Sequence, residues 1–294
     1  MQGATHSMLP DGRRLHLQHG PIDLIVEAWG SAEEVAASYG QAVARFETIL
    51  AELVGELPLL RRPVAAGACP LQGRIARQMW RATAAHLPRF VTPMAAVAGS
   101  VADEVLAAMV RGRGLRRAYV NNGGDIALHL TPNESFRLAL VVDPGDPRIP
   151  GAMEITHDMP VRGVATSGRH GRSFSLGIAD SVTVLAASAA EADAAATMIA
   201  NEVDLPGHGA VRRAPACSLA PDSDLGDRLV TVEVGPLGQP EIDAALAAGA
   251  EAALDMIDGK LVHAAVLVLG RSVRLAGYPD AHATQPIREK RAYA

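Results

Sequence analysis

The chain has 294 residues, of which 49% are hydrophobic and 20% are charged, a balance typical of a globular protein rather than a disordered or fibrous one. A formal net charge of −5 and an aromatic content of 3% disfavour a nucleic-acid binder, which needs a basic surface and stacking platforms. Two cysteines are too few for a disulfide framework or a cysteine-based zinc site. The beginning of the chain lacks a signal-peptide pattern, and the apolar runs are too short for a bilayer. The sequence therefore predicts a cytoplasmic protein without a membrane partner.

The first part of the chain is predicted to contain two strands followed by three helices. A capping box that begins at Ser31 and continues to Glu34 precedes a long stretch of apolar residues at helical spacing. The third helix begins with the small residues of Ala95–Ala102, which allow its backbone to approach another backbone or a ligand closely. The predicted elements are strands Arg13–Gln18 and Pro21–Trp29 and helices Ser31–Leu57, Gly73–His86 and Thr92–Gly114.

The second part of the chain is rich in strands, with two further helices. A capping box at Ser188 starts a helix that ends before Pro206, and a second helix covers Pro240–Ile257. Residues 207–228 show no periodicity and are predicted to form a long loop. Strands that do not alternate strictly with helices favour an α+β fold. We expect a single domain over residues 1–279 and a polar tail over residues 280–294. The predicted strands are Arg116–Val120, Ile126–Leu130, Phe136–Val142, Val161–Thr166, Ser181–Ala187 and Val230–Val234, and a closing hairpin joins Val262–Leu269 to Val273–Ala276.

The segment Asn121–Asp125 (NNGGD) connects two predicted strands and has two interpretations. As a hairpin turn, it needs glycine only for its backbone conformation. As a binding element, Gly123 and Gly124 would let a ring or a phosphate approach the backbone, while Asp125 accepts a hydrogen bond from the ligand. The sequence contains neither a dinucleotide fingerprint nor a P-loop at any position.

A second segment, Gly163–Ser173 (GVATSGRHGRS), begins inside a predicted strand. Two hydroxyl side chains stand where the strand ends, and two arginines come after them. Arg169 and Arg172 would suit an anion such as a phosphate, or they form part of a solvated turn. His170 is the candidate acid or base because its ring titrates near neutral pH.

Asp193 and Thr197 lie four residues apart on a predicted helix, so their side chains share one face. A carboxylate and a hydroxyl are oxygen ligands that magnesium accepts, but waters or ligand phosphates would have to complete the coordination. The alternative is that both residues are solvated or cap the helix locally.

These segments together resemble the ApbE superfamily, whose best-known members are FAD:protein FMN transferases, and in particular its short cytoplasmic branch. The resemblance covers residues 13–276. Four segments carry it: Thr92–Asp103 (TPMAAVAGSVAD), similar to D-L-G-A-I-A-K-G-Y-A-V-D; Asn122–Ile126, similar to N-x-G-G-D-I; Ala165–Gly168, similar to A-T-S-G; and Ser181–Ala186 with Ala192–Thr197, similar to S-V-T-V-x-A followed by A-D-x-x-x-T.

The resemblance implies a T-fold-like domain with an antiparallel sheet and packed helices. It implies a magnesium site made of the Ala95 carbonyl, the Asp193 carboxylate and the Thr197 hydroxyl, completed by a flavin pyrophosphate. The implied cofactors are FAD or FMN with Mg²⁺, and the implied reaction transfers FMN from FAD to a protein threonine with release of AMP. The residues bordering the flavin would be Asn122, Gly123, Gly124 and Asp125 on one wall and Thr166, Ser167 and Gly168 on the opposite wall.

The sequence departs from the transferase pattern at three places. Ala98 replaces the family's lysine, Thr92 replaces its first aspartate, and the H-x-I-D-P segment is missing, which leaves His170 as the nearby histidine. Three functions therefore stay open: a flavin-nucleotide or other phosphorylated-ligand protein, a flavin-independent relative acting in sulfur or amino-acid metabolism through Cys69, and a non-catalytic binding subunit. A homo-oligomer is also left open.

Overall fold

The computed structural model describes residues 3–140 and 151–277. The predicted tail over residues 280–294 and the last two residues of the predicted strand 136–142 lie outside the described residues. The strands are β1 Thr5–Met8, β2 Leu15–His19, β3 Ile22–Trp29, β4 Arg117–Asn122, β5 Asp125–Leu130, β6 Ser135–Leu140, β7 Gly151–Thr156, β8 Gly163–Ser167, β9 Ser181–Ala186, β10 Val211–Pro215, β11 Leu229–Val234, β12 Ala264–Leu269 and β13 Ser272–Ala276. The helices are α1 Ala32–Leu60, α2 Arg74–Ala84, α3 Val97–Val110, α4 Ala189–Glu202, the single turn α5 Ala216–Leu219, and α6 Gln239–Asp258, with a 3₁₀ turn at Pro93–Ala96.

Nine strands form one sheet in the order β1-β2-β3-β4-β5-β8-β9-β12-β13, and every neighbouring pair is antiparallel. Two shorter pairs, β6–β7 and β10–β11, lie apart from it. The α+β class with an antiparallel sheet and packed helices is therefore confirmed.

Both faces of the nine-stranded sheet are buried near its central strands. On one face, residues such as Val120 and Ala127 pack with α1 and α3, and residues such as Val184 and Leu267 pack with α4 and α6. Leu128 follows Ala127 in β5 and therefore points to the other face, because successive strand side chains alternate. There it packs with the β6–β7 hairpin, including the fully buried Ile155.

Both predicted capping boxes supply helix N-caps. The Ser31 hydroxyl accepts a hydrogen bond from the Glu34 backbone N–H, and the Ser188 hydroxyl accepts one from Glu191, each at 3.3 Å. These bonds satisfy donors that have no partner inside the helix.

The structure corrects several predictions about elements, and it contains β7, which was not predicted. The single helix predicted over Thr92–Gly114 is divided into the 3₁₀ turn and α3. The loop predicted for 207–228 contains β10 and α5, because β10 gains its backbone hydrogen bonds from the distant strand β11. Strand β1 was not predicted, since all four of its residues are exposed and it lacks a buried face.

Among residues 3–140 and 151–277, one segment has the length and hydropathy of a membrane span. It covers Pro93–Val110 with a mean hydropathy of 1.4, and 61% of it is buried inside the protein. Packing of α3 between α1, α4 and the sheet accounts for this apolar character. The cytoplasmic location stays a prediction.

Candidate functional site

The candidate site begins at the β4–β5 hairpin, where Gly123 and Gly124 form the two-residue turn. Their φ angles of 64° and 114° are positive, which explains the need for glycine. The Gly124 N–H donates to the Asn121 side chain at 2.8 Å. No atom lies within 4 Å of where a Cβ would project from either glycine, so the space beside the turn is open.

Asn122 attaches this hairpin to the beginning of α3. Its side chain is buried, and its amide donates to the Ala98 carbonyl at 3.1 Å. The contact places the small-residue segment of α3 directly beside the glycine turn. The Asn122 side chain therefore positions the turn.

Asp125 joins the hairpin to the end of β8. Its carboxylate accepts a hydrogen bond from the Thr166 backbone N–H at 3.2 Å, and the Thr166 hydroxyl lies 2.9 Å from that of Thr183. Burial raises the pKa of Asp125 to about 7, since the charged form is poorly solvated there. Because β5 and β8 are adjacent strands, Asp125 and Thr166 lie side by side rather than on opposite walls.

Asp193 reaches the same place from α4. Its carboxylate accepts a hydrogen bond from the Gly99 backbone N–H at 3.0 Å. Part of its side-chain surface remains accessible, yet protein atoms crowd the carboxylate. That burial, followed by the charge of Asp125, raises its pKa well above the ordinary value of 3.8. The structure thus brings together Asp125 and Asp193, which are far apart in sequence.

The oxygen set Ala95, Asp193 and Thr197 is compatible in chemistry with a magnesium ion. The 3₁₀ turn that contains Ala95 packs against α4, and Thr197 lies one turn after Asp193 on that helix. Over residues 3–140 and 151–277, no cluster of three or more His, Cys, Asp or Glu side chains could hold a metal by itself. In the same ranges, no basic side chain forms an ion pair with Asp125 or Asp193. Within the described part of the chain, the two carboxylates therefore have no compensating positive charge.

The predicted anion-binding loop is organised by Asp180. The Arg169 guanidinium contacts the Asp180 carboxylate at 2.6 Å, and the His170 Nε2 atom lies 3.1 Å from the same oxygen. Gly168 precedes them with φ of 154°, and a side chain there would collide with the Asp180 backbone. Arg172 is exposed and approaches the Pro21 carbonyl at 3.5 Å. Arg169 and His170 are thus held by Asp180, while Arg172 is the more open cation.

Sequence reasoning missed two carboxylates near the start of α3. Asp103 accepts hydrogen bonds from the N–H groups of Ala189 and Ala190, at 3.1 and 2.9 Å, and so caps α4. Thr92 donates its hydroxyl to Asp224, so that a carboxylate from a distant loop reaches this position. Asp103 belongs to a segment that the sequence singled out, but Asp224 lies in a stretch without periodicity, where no signal pointed to it.

Two cavities lie elsewhere in the protein. One of about 420 Å³ lies between β1, β2 and α1, and another of about 390 Å³ lies between α2, the start of α4 and the end of α6. None of the predicted site residues lines either cavity.

Comparisons with known proteins point to one family. A protein-family model described as AbpE bacteria matches residues 6–275. A UPF0280 protein of Methanothermobacter thermautotrophicus is 42% identical over 118 residues, which are 40% of this chain and 44% of that protein. A UPF0280 protein of Methanothrix thermoacetophila is 34% identical over 188 residues, 63% of this chain and 75% of that protein. This chain therefore aligns with about half of the first relative and three quarters of the second.

Among solved structures, the apo form of the flavinyl transferase ApbE of Pseudomonas stutzeri aligns with 96% of this chain and 94% of that chain. The sequence identity is 14% and the TM-score is 0.45.

Proposed function

Because the chain belongs to the ApbE superfamily, in the branch described as AbpE bacteria, we propose that it binds a flavin nucleotide together with a magnesium ion beside α3. One observation carries the proposal: Asp125 and Asp193 meet next to an open glycine turn without a basic partner among the described residues. A divalent cation would offset the repulsion between the two carboxylates. The flavinyl transferase of Pseudomonas stutzeri supports the choice of ligand by its name alone.

Each part of the site has a separate task in this proposal. The Ala95 carbonyl, the Asp193 carboxylate and the Thr197 hydroxyl would hold the ion, which supplies positive charge to the pyrophosphate oxygens when bound. The Gly99 N–H orients the Asp193 carboxylate through its hydrogen bond. Gly123 and Gly124 leave room for a flat ring, because no side chain projects there.

The neighbouring strand end completes the binding surface. Thr166 is exposed and Ser167 is half-buried, so both hydroxyls are available to a ligand beside Asp125. Asp125 can hold or release a proton close to neutral pH in the absence of a cation, because its pKa is about 7. Ala98 stands where the family has a lysine, so that positive charge is missing at this position. Arg172 would supply a positive charge instead.

FMN transfer is the finer form of the proposal. A threonine oxygen of an acceptor protein would bond to the FMN phosphorus, the pyrophosphate bond would break, AMP would leave, and the threonine proton would pass to water. The chain's own contribution would be to hold, at Asp193 and Thr197, the magnesium ion that supplies positive charge to the pyrophosphate. The His170 ring lies next to Asp180 and is about half-exposed.

Binding can be tested by isothermal titration calorimetry of the protein with FAD and with FMN, in magnesium and in EDTA. We expect saturable binding that depends on magnesium. Asp193→Asn should weaken it at least about tenfold, because it removes a charged ligand of the ion. Glu202→Gln is the matched control, since Glu202 ends the same helix far from Asp193.

A protein that takes up neither flavin in the presence of magnesium would refute the proposal. If binding occurs, release of AMP from FAD in the presence of a threonine-containing acceptor decides between transfer and binding alone. The sulfur-metabolism alternative depends on Cys69, whose half-buried thiol lies 3.9 Å from the Leu71 carbonyl. It would be favoured only if Cys69→Ser abolished an activity that needs no flavin.

A further inference from the structure

The cavity of about 390 Å³ is distinct from the flavin site proposed above. It is enclosed by one side of α2, the first turn of α4 and the residues that follow α6. Its polar lining consists of Gln78, Arg81, His86, Ser188, Glu191 and Lys260. These residues come from three separate parts of the chain, so the cavity exists only in the folded protein.

His86 is the unusual member of this lining. Only 7% of its surface is exposed, and its ring forms no hydrogen bond with the rest of the described chain. Burial, followed by the nearby charge of Arg89, lowers the pKa of His86 to about 4. The ring is therefore neutral at physiological pH, with one donor and one acceptor nitrogen. The ring nitrogens are not fully enclosed by protein and the ring lines the cavity, so a ligand there can form hydrogen bonds with them.

The charges around the ring favour an anion. Arg81 and Lys260 are both exposed, stand on different elements, and make no ion pair within residues 3–140 and 151–277. Glu191 lines the same cavity and contributes one negative charge. Arg81, Lys260 and Glu191 together give the cavity lining a net charge of about +1. The acceptor nitrogen of His86 suits a ligand hydroxyl.

The helix end itself contributes little to this site. The Ala189 and Ala190 N–H groups donate to Asp103, and the Glu191 N–H donates to Ser188. Gln78 is also engaged, because its amide donates to Asp103 at 2.7 Å. The groups left for a ligand are therefore the His86 ring and the side chains of Arg81, Lys260 and Glu191.

We propose that this cavity binds a small organic anion that carries a hydroxyl, with its acidic group between Arg81 and Lys260 and against the His86 ring. The volume falls within the range of small-molecule sites. The acidic group is a phosphate or a carboxylate, and both share the chemistry that the two cations recognise.

The His86 ring provides a direct readout. The side-chain resonances of His86, assigned by comparison with His86→Gln, are followed by NMR during titration with glycerol 3-phosphate and, separately, with L-lactate. We expect a saturable shift of the His86 signals and a higher His86 pKa in the bound state. A response to one probe alone identifies the acidic group as phosphate or carboxylate.

Variants separate this site from a general surface effect. The double variant Arg81→Gln/Lys260→Gln should weaken binding at least about tenfold, and both residues are exposed, so circular dichroism should show an intact fold. Arg77→Gln is the control, because Arg77 is exposed on the same helix but does not line the cavity. The proposal is overturned if neither probe shifts His86 saturably, or if the double variant binds as well as the Arg77 control. Failure of flavin binding would leave this readout unchanged.

Discussion

Three carboxylates, Asp103 on α3, Asp125 on β5 and Asp193 on α4, lie at or beside the candidate site. Burial raises the pKa of Asp103 to about 6 and that of Asp125 to about 7, and it also raises the pKa of Asp193 well above its ordinary value. The charges of Asp125 and Asp103 also disfavour ionisation of Asp193. The protein retains an arrangement that costs stability, as proteins commonly do where a site must bind a cation or a ligand.

The Asp103 titration makes a pH-dependent prediction. Its pKa of about 6 in the folded protein is above the ordinary 3.8, so its contribution to stability is present below about pH 3.8 and is lost as pH rises to about 6. Asp103→Asn cannot titrate. The free energy of unfolding of the variant, relative to wild type, should therefore rise by about 1–3 kcal/mol between pH 4 and pH 7.

Urea denaturation of the metal-free protein at several pH values measures this difference. Asp243→Asn, at an exposed position on α6, is the control and should show no such trend. A difference that is constant or that falls with pH would contradict the assignment. Loss of one hydrogen-bond acceptor lowers the free energy of unfolding of the Asn variant by a similar amount at every pH. It therefore does not change how that free energy depends on pH.

At the scale of elements, the close approach of helices and strands depends on small residues. A side chain at Gly99 would collide with the Ala189 backbone, and one at Gly163 would collide with the Ser188 backbone. These two contacts hold the start of α4 against α3 and β8. Asp193 and Asp125 approach each other because of this packing.

Gly99→Ala should lower the free energy of unfolding by about 1–3 kcal/mol, because the new methyl group forces α3 and α4 apart. Gly55→Ala is the matched control within another helix, where no atom lies within 4 Å of the added Cβ. That control should raise stability by about 0.5–1 kcal/mol, since alanine is the better helix former. Equal effects of the two substitutions in urea denaturation would show that Gly99 does not set the helix spacing.

For the whole molecule, one sheet connects all the core clusters. Trp80 packs against both of the clusters that lie on the helical face. Trp29 lies on the other side of the molecule, with its ring 5.6 Å from Phe136 and 6.1 Å from Tyr119. The single domain predicted for residues 1–279 implies that both tryptophans report one transition.

The chain has two tryptophans, so Trp29→Phe and Trp80→Phe each leave one fluorescent reporter. In each variant, the thermal transition seen by fluorescence should coincide with that seen by far-UV circular dichroism. Coincidence in both variants is the expected outcome of cooperative unfolding. Separate midpoints within one variant would indicate more than one domain.

Local features of the sequence were sufficient for many of the elements. Ser31 and Ser188 form the predicted N-caps because a cap involves residues only three positions apart. The strand predicted over Pro21–Trp29 matches β3, and the NNGGD segment forms a tight hairpin turn. The resemblance of four short segments indicated the family, which the match over residues 6–275 confirms.

Only the tertiary structure decided which of the candidate residues meet. Three contacts join residues that are not near neighbours in sequence. They are the approach of Asp125 to Asp193, the ion pair of Arg169 with Asp180 and the hydrogen bond of Thr92 to Asp224. Strand β10 likewise depends on its pairing with β11. The physical reason is that burial and long-range hydrogen bonding are set by how strands and helices pack, whereas sequence spacing encodes only interactions between near neighbours.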